Sequence, residues 1–214
     1  MKILRLFTPH YKTYVLNILF LLITSVSSYA SLQNGELFMI QGKTDKAIET
    51  LAPFVAKNDP HALYLMAVIY LSPTSSHHFD PKKGLSLLEK AVFQNYGPAL
   101  DELAGLYLAG DGVEKNEAKA LHYYIQASHF GYGPSQFNCG IMYKKGQGTE
   151  KNPQKAYFYL SLASLNYKDL EGVTLDAARY RDELVPLLTP AQRQDALRSV
   201  NALTLPVAYP KEKE

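Results

Sequence analysis

Cysteine is almost absent from this sequence of 214 residues, which contains a single one, Cys139. One cysteine excludes an internal disulfide, so stability must come from the packing of side chains and not from cross-linked loops. We place Cys139 on a predicted helix at a core position, where a thiol behaves as a small hydrophobic group. A reactive thiol is the alternative.

A surplus of either charge is also lacking once residues 1–30 are set aside. That segment contains three of the 22 lysines and arginines and none of the 20 acidic residues, so residues 31–214 carry 19 basic and 20 acidic side chains. Nucleic-acid binding depends on a basic surface that neutralises phosphates. We therefore expect no nucleic-acid partner.

Residues 1–30 have the three parts of a secretory signal peptide. A basic start with Lys2 and Arg5 is followed by an apolar run over residues 15–26 and by small residues up to Ala30. A retained membrane anchor is the alternative, although a spanning helix needs about 20 mostly apolar residues. We expect cleavage after Ala30, a periplasmic or secreted mature chain, and no membrane span in that mature chain.

The sequence repeats itself at a period typical of helical solenoids. Residues 103–120 recur 36 positions later as residues 139–156, and a looser copy precedes them. The strongest matches pair Tyr107 with Tyr143, Gly110 with Gly146, Gly112 with Gly148, Asn116 with Asn152, and Ala120 with Ala156.

Each copy divides into two helices at its glycines, because glycine readily adopts the left-handed conformation that ends a helix. Gly110 and Gly146 stand at these ends, and Asn116 and Asn152 stand where the second helix needs an N-cap. Pro153 suits the first turn, where its missing N–H costs nothing. Alanine, leucine and tyrosine recur at helical spacing in both helices, which predicts that one side of each helix is buried. The tyrosines could alternatively form a surface that binds a ligand.

The pattern A/G-x-x-Y-x-x-G-x-G-V/T-x-K-N-x-x-K-A, found at residues 104–120 and 140–156, resembles the Sel1-like repeat family. The resemblance implies an all-α fold, a right-handed superhelical solenoid of antiparallel helix pairs similar to tetratricopeptide repeats. It also implies an adaptor for other proteins, often in bacterial envelopes or in factors released toward host cells. Residues 72–81 depart from the pattern, because this loop contains no glycine where the other copies have the Gly-x-Gly turn.

The helical stretch that we expect over residues 174–188, and the helix that Thr189 and Pro190 open, would cap the solenoid. The expected division of the chain is a signal peptide (1–30), an N-terminal helix pair (31–58), Sel1-like repeats (59–167), C-terminal capping helices (168–205) and a loose tail (206–214).

Catalytic machinery is not recognisable in the sequence. The Gly-x-Gly turns lack the preceding strand and the Gly-Lys-Ser/Thr ending of a phosphate loop. His77 and His78 would need a third ligand, such as Asp80 or His61, to hold a metal. Cys139 would need His122 or His129 within hydrogen-bond reach, as its base, to act as a nucleophile. We therefore predict no catalytic residue, no metal site and no cofactor.

The leading hypothesis is a binding module that recognises a protein partner on the first helices of its repeats, which line the concave face of such solenoids. The alternatives are an accessory regulator of an envelope enzyme and a small envelope hydrolase. We name the predicted surface the partner-binding track and expect it to be an exposed apolar strip, unless bends between repeats bury half of it. It comprises Tyr64, Val68, Leu71, Asp101, Gly105, Leu108, Phe137, Ile141 and Lys144.

Overall fold

The computed structural model describes residues 31–74, 77–166 and 171–204, and it gives the backbone alone for residues 171–175 and 204. The predicted signal peptide (1–30) and tail (206–214) lie outside the described residues. All regular elements of the described chain are helical, which confirms the predicted all-α class. The helices are α1 (described over 31–40), α2 (Thr44–Ala56), α3 (Pro60–Leu71), α4 (Pro81–Phe93), α5 (Gly97–Ala109), α6 (Glu117–His129), α7 (Gly133–Lys145), α8 (Pro153–Asn166), α9 (Glu171–Asp182) and α10 (Pro190–Thr204).

Two compact units divide the chain, one ending at Leu87 and one beginning at Leu88. In the first unit, α2 packs against α3. Ala47 and Leu51 of α2 are fully buried. The side chain of Asp59 caps α3, because its Oδ1 accepts a hydrogen bond from the backbone N–H of Ala62 at 2.9 Å.

The atypical loop before α4 ends in the same kind of cap as the regular repeats. Asp80 Oδ1 accepts a hydrogen bond from the backbone N–H of Lys83 at 3.1 Å. Lys83 then reaches back to α3, where its Nζ lies 4.1 Å from the centre of the Tyr70 ring and donates to the Tyr70 hydroxyl at 2.7 Å. The loop therefore changes its length but keeps the cap that starts the next helix.

In the second unit, the predicted turns between paired helices are confirmed. Gly110 and Gly146 are the C-caps of α5 and α7, with left-handed φ angles of 80° and 74°. Asn116 and Asn152 then cap α6 and α8, because each side-chain oxygen accepts a backbone N–H from three residues further on at 2.9 Å. Helix α8 begins at Pro153, as expected.

Small residues lie where paired helices meet. Ala120, Ala127, Ala156 and Ala163 are all fully buried, so the methyl groups on α6 and α8 face the interior as the sequence predicts. A side chain no larger than a methyl group lets two helix backbones approach closely, and buried positions of this kind tolerate little added volume.

Tyrosines fill the space beside these alanines. Tyr107 stacks on Tyr123 with ring centres 5.7 Å apart, and Tyr143 stacks on Tyr159 at 5.6 Å. A lysine also contacts each tyrosine pair: Lys119 Nζ lies 5.1 Å from the centre of the Tyr107 ring, and Lys155 Nζ lies 5.0 Å from that of the Tyr143 ring. The tyrosines thus serve helix packing in the repeats, which is the interpretation preferred from their spacing.

The C-terminal helices differ from the prediction at one boundary. A single helical stretch over residues 174–188 is wrong, because α9 ends at Asp182 and a short 3₁₀ turn, Val185–Leu187, follows. Pro186 explains the break, since its ring would clash with the carbonyl of residue 182 in a continuous helix. The start of α10 is as predicted: Thr189 Oγ1 accepts the N–H of Gln192, and the Gln192 side chain accepts the N–H of Thr189.

Candidate functional site

The partner-binding track is half-buried at every one of its positions. Tyr64, Val68 and Leu71 lie on α3 in the first unit, whereas the remaining six residues lie on α5 and α7 in the second unit. All nine residues have intermediate exposure. The expected exposed strip is therefore absent from these described helices, and the partner-binding role of these residues stays a prediction.

Asp101 of α5 is directed at α7 and not at open solvent. Its Oδ1 accepts a hydrogen bond from Ser135 Oγ at 2.5 Å and a longer one from Asn138 Nδ2 at 3.5 Å. Burial raises the pKa of the Asp101 carboxyl, although these two hydrogen bonds oppose the rise. The pKa of neighbouring Glu102 is raised as well, by burial and by the charge of Asp101. These contacts join two successive first helices.

The corresponding side of α7 is covered by α9 and the residue that follows α9. The Phe137 ring lies 5.9 Å from that of Tyr180. The Lys144 ammonium lies 4.5 Å from the centre of the Tyr180 ring and forms an ion pair with Glu183. Two members of the track therefore hold the C-terminal helices in place.

The contacts of Asp101 and Phe137 have a common origin in the repeat. These residues occupy equivalent positions 36 residues apart, and each contacts the next helix but one: Asp101 of α5 contacts α7, and Phe137 of α7 contacts α9. The side of the first helix that they occupy is thus a helix–helix junction. Periodicity identifies which side of a helix is apolar, but it does not give the direction from which the next helix approaches.

The other members of the track also have neighbours. Leu71 packs against Gly84 of α4, where a Cβ would come within 2.7 Å of the leucine Cγ. Leu108 and Ile141 pack against the hydrophobic core of the second unit. Gly105 is the most open position, because a Cβ there would meet nothing closer than the Tyr124 hydroxyl at 3.8 Å.

Cys139 is fully buried, which confirms its predicted core position. Burial raises the pKa of its thiol, and the charge of Asp101 raises it further. Since the thiolate is the nucleophilic form, this environment makes Cys139 unreactive at neutral pH. His122 is hydrogen-bonded instead to Gln126 of its own helix, at 3.2 Å.

The histidines of the long loop do not assemble a metal site in the described residues. His78 Nε2 lies 2.8 Å from Asp45 Oδ1, whereas Asp80 caps α4 and His61 lies 4.0 Å from Glu36. Three of the four ligands considered from the sequence, His78, Asp80 and His61, are thus directed to different partners. In the described part of the chain, no group of three or more potential ligands has the geometry for a metal ion.

Sequence reasoning missed a groove formed mainly by α8 and α10 in the second unit, which we call the Phe158 groove. It consists of two cavities of about 420 and 390 Å³, and Phe158 lines both. Elements that are distant in sequence build it, since Ser128 of α6 and Leu203 of α10 line the same cavity. No sequence motif marks such a groove. The one weak signal is the pair of adjacent aromatic residues Phe158 and Tyr159, because neighbouring positions on a helix cannot both face the core equally; in the structure Tyr159 is buried and Phe158 is partly exposed.

Comparison with known families accounts for the repeated helix pairs. The model of the Sel1 repeat matches residues 60–92, 97–129 and 133–166, which correspond to α3–α4, α5–α6 and α7–α8. The chain is a Sel1 repeat protein. The solenoid of helical repeats implied by the sequence pattern is thereby confirmed, and proteins with Sel1 repeats generally act in protein–protein interaction.

Solved structures with Sel1 repeats are similar to the chain. One is a Sel1 repeat protein from Oxalobacter formigenes, 25% identical with a TM-score of 0.53 over 55% of this chain and 89% of that chain. Another is a protective antigen of uropathogenic Escherichia coli strains that displays an SLR fold, 21% identical with a TM-score of 0.54. This second likeness shows the fold alone; it covers 82% of the present chain but only 45% of the antigen.

No curated protein matches the Sel1 repeat chain. Within the ranges that the structure describes, no helix combines the length and apolarity needed to cross a membrane.

Proposed function

We propose that the chain is an exported bacterial Sel1 repeat protein that acts as a scaffold or adaptor for other proteins. The observation that carries this proposal is the set of three Sel1 repeats, because proteins built from them generally act in protein–protein interaction. Repeated helix pairs present long side-chain surfaces without needing a catalytic centre.

A location in the periplasm or outside the cell forms part of the proposal. The basic, apolar and small-residue segments of residues 1–30 support export. Similarity to Sel1 repeat proteins of two bacteria supports a bacterial setting, and one of these relatives is a protective antigen. Envelope function and interaction with a host are both compatible with such a scaffold.

An accessory regulator of an envelope enzyme is the alternative, and it differs from the scaffold in its partner alone. A small envelope hydrolase is less favoured, because Cys139 is fully buried and its thiol pKa is raised. His78, the other candidate, pairs with Asp45. Neither group resembles an activated nucleophile with its base.

Affinity capture from the native envelope, followed by reciprocal capture of each candidate partner, tests the proposal. Ile141→Ser, in the partner-binding track, should reduce capture of a partner, whereas Ile40→Ser should not. Ile40, an isoleucine on α1 with 78% of its surface exposed, controls for the chemical change. Because Ile141 packs against the core, circular dichroism must also show that Ile141→Ser is folded. Absence of any reproducible partner, or equal loss in both variants, would contradict a scaffold that binds through this track.

Export is tested by the intact mass of the protein from its native host. We expect the mature chain to begin at Ser31. A chain that retains residues 1–30 and sediments with membranes would instead identify that segment as an anchor.

A further inference from the structure

The Phe158 groove is the surface feature that the partner-binding track leaves unexplained. Its two cavities, of about 420 and 390 Å³, lie within the size range of small-ligand sites. The partly exposed Phe158 ring lines both cavities and makes an edge contact with Tyr159, whose ring centre is 4.9 Å away. A ligand in either cavity would therefore lie beside this aromatic ring.

The larger cavity contains a fixed pair of amides. Gln136 is 2% exposed, and its Oε1 accepts a hydrogen bond from Asn166 Nδ2 at 2.9 Å. Gln136 Nε2 also donates to the carbonyl oxygen of Ser128 at 3.3 Å. Each amide carries two N–H groups and an oxygen with two lone pairs, so both retain hydrogen-bonding capacity. The remaining lining includes His129 and Leu203, and none of the lining residues is Asp, Glu, Lys or Arg.

The smaller cavity exposes more apolar than polar surface, and its two charged residues have contacts within the chain. Asn152, Gln154 and Ser199 contribute to its lining. The Asp195 carboxylate lies 3.4 Å from Arg198, and the Lys155 ammonium lies over a tyrosine ring. The cavity therefore offers amides and a hydroxyl beside an apolar surface, at the edge of which Asp195 and Lys155 contact other groups of the chain.

This combination of groups matches the chemistry of sugars. Amides and hydroxyls both donate and accept hydrogen bonds, as the hydroxyl groups of a sugar do. An aromatic face such as that of Phe158 complements the apolar C–H face of a sugar ring. The lining of the larger cavity contains no Asp, Glu, Lys or Arg, which favours an uncharged ligand over a charged one. We propose that the Phe158 groove binds a neutral oligosaccharide.

Titration of the isotopically labelled full chain with chitotetraose, a neutral sugar, tests the proposal. Chemical-shift changes in the ¹H–¹⁵N spectrum should map to residues 128–136, 152–166 and 195–203. Asn166→Leu removes an exposed amide of the groove and Phe158→Leu removes its aromatic face, and each should weaken binding by about fivefold or more. Gln194→Leu, which removes an exposed amide of α10 outside both cavities, should leave the affinity unchanged.

Specificity provides the decisive comparison. A tetramer of galacturonate, which is anionic, and the capped neutral peptide Ala-Tyr-Gln-Ser should bind more weakly than chitotetraose. The proposal is overturned by the absence of shifts with chitotetraose at about 10 mM, by unchanged affinity in Asn166→Leu, or by tighter binding of the peptide. Circular dichroism verifies that the variants are folded. A chain that captures protein partners but gives no shifts would overturn sugar binding and leave the scaffold function intact.

Discussion

Gly148 approaches the carbonyl group of Glu117 so closely that a methyl group at Gly148 would overlap it. The same methyl group would lie 2.8 Å from the backbone nitrogen of Ala118. The turn after α7 thus rests directly on the first turn of α6, in the preceding repeat. Gly148 also has a φ of 68°, a left-handed conformation that favours glycine.

Gly148→Ala should therefore destabilise the protein more than Gly112→Ala. Both substitutions place alanine at a left-handed position, which costs about 1–2 kcal/mol. A Cβ on Gly112 would have no heavy atom within 4 Å, so this equivalent glycine is a matched control for backbone strain. We expect a further loss of about 1–3 kcal/mol in the free energy of unfolding of Gly148→Ala, because backbone atoms must move. Equal losses in urea unfolding would contradict the close packing of the two repeats.

Two helical glycines provide a second comparison. A Cβ on Gly140 would lie 2.5 Å from Leu160 Cγ and 3.2 Å from the Leu160 backbone nitrogen, whereas the nearest atom to a Cβ on Gly105 is 3.8 Å away. Gly140→Ala should destabilise the protein by about 1–3 kcal/mol through overpacking between α7 and α8. Gly105→Ala should stabilise it by about 0.5–1 kcal/mol, because alanine favours the helix. Thermal unfolding of both variants checks the opposite signs.

The sequence predicts the features of the fold that local chemistry determines. Gly110, Gly146, Asn116 and Asn152 identify helix ends because a left-handed residue or an N-cap acts within one turn. The period of 36 residues then assigns the alanines to equivalent buried positions. Pro186 shows the limit of apolar spacing, because a break in the backbone overrides a continuous apolar pattern.

The side of a helix that contacts the next helix is much harder to predict. Asp101 and Phe137 have opposite chemistry at equivalent positions, yet each contacts the next helix but one, α7 and α9 respectively. A hydrogen bond serves this purpose at one junction and an aromatic contact at the other. The Phe158 groove is harder still, since α6, α8 and α10 all contribute to it. Such features depend on the angles between helices, which spacing along one helix does not contain.

Substitution of the buried alanines tests the register of the repeat. Ala120→Leu or Ala156→Leu should lower the free energy of unfolding by about 1–3 kcal/mol, because both residues are fully buried between helices. Ala202→Leu is the control, since Ala202 is exposed on α10. Urea unfolding at constant pH measures the difference. Unchanged stability of Ala120→Leu and Ala156→Leu would mean that these alanines do not fill the helix interface.

The junction between α5 and α7 should make stability depend on pH through Asp101. Its pKa is raised above 3.8 in the folded state, chiefly by burial, so the folded state holds this proton more tightly than the unfolded state. Between these two pKa values, the free energy of unfolding falls as the pH rises. The stabilising contribution is thus complete below pH 3.8 and lost above the folded pKa. The raised pKa of Glu102 acts in the same direction.

Asp101→Asn should reduce this pH dependence and increase stability near pH 7. Asparagine cannot ionise, so no charge is buried, and its side-chain oxygen still accepts the hydrogen bond of Ser135. The substitution also removes the nearby charge that raises the pKa of Glu102. Urea unfolding between about pH 4 and 7.5 measures the effect, with Asp111→Asn in an exposed loop as the control. If Asp101→Asn instead loses stability at every pH, the carboxylate must contribute more through its hydrogen bonds to α7 than its burial costs.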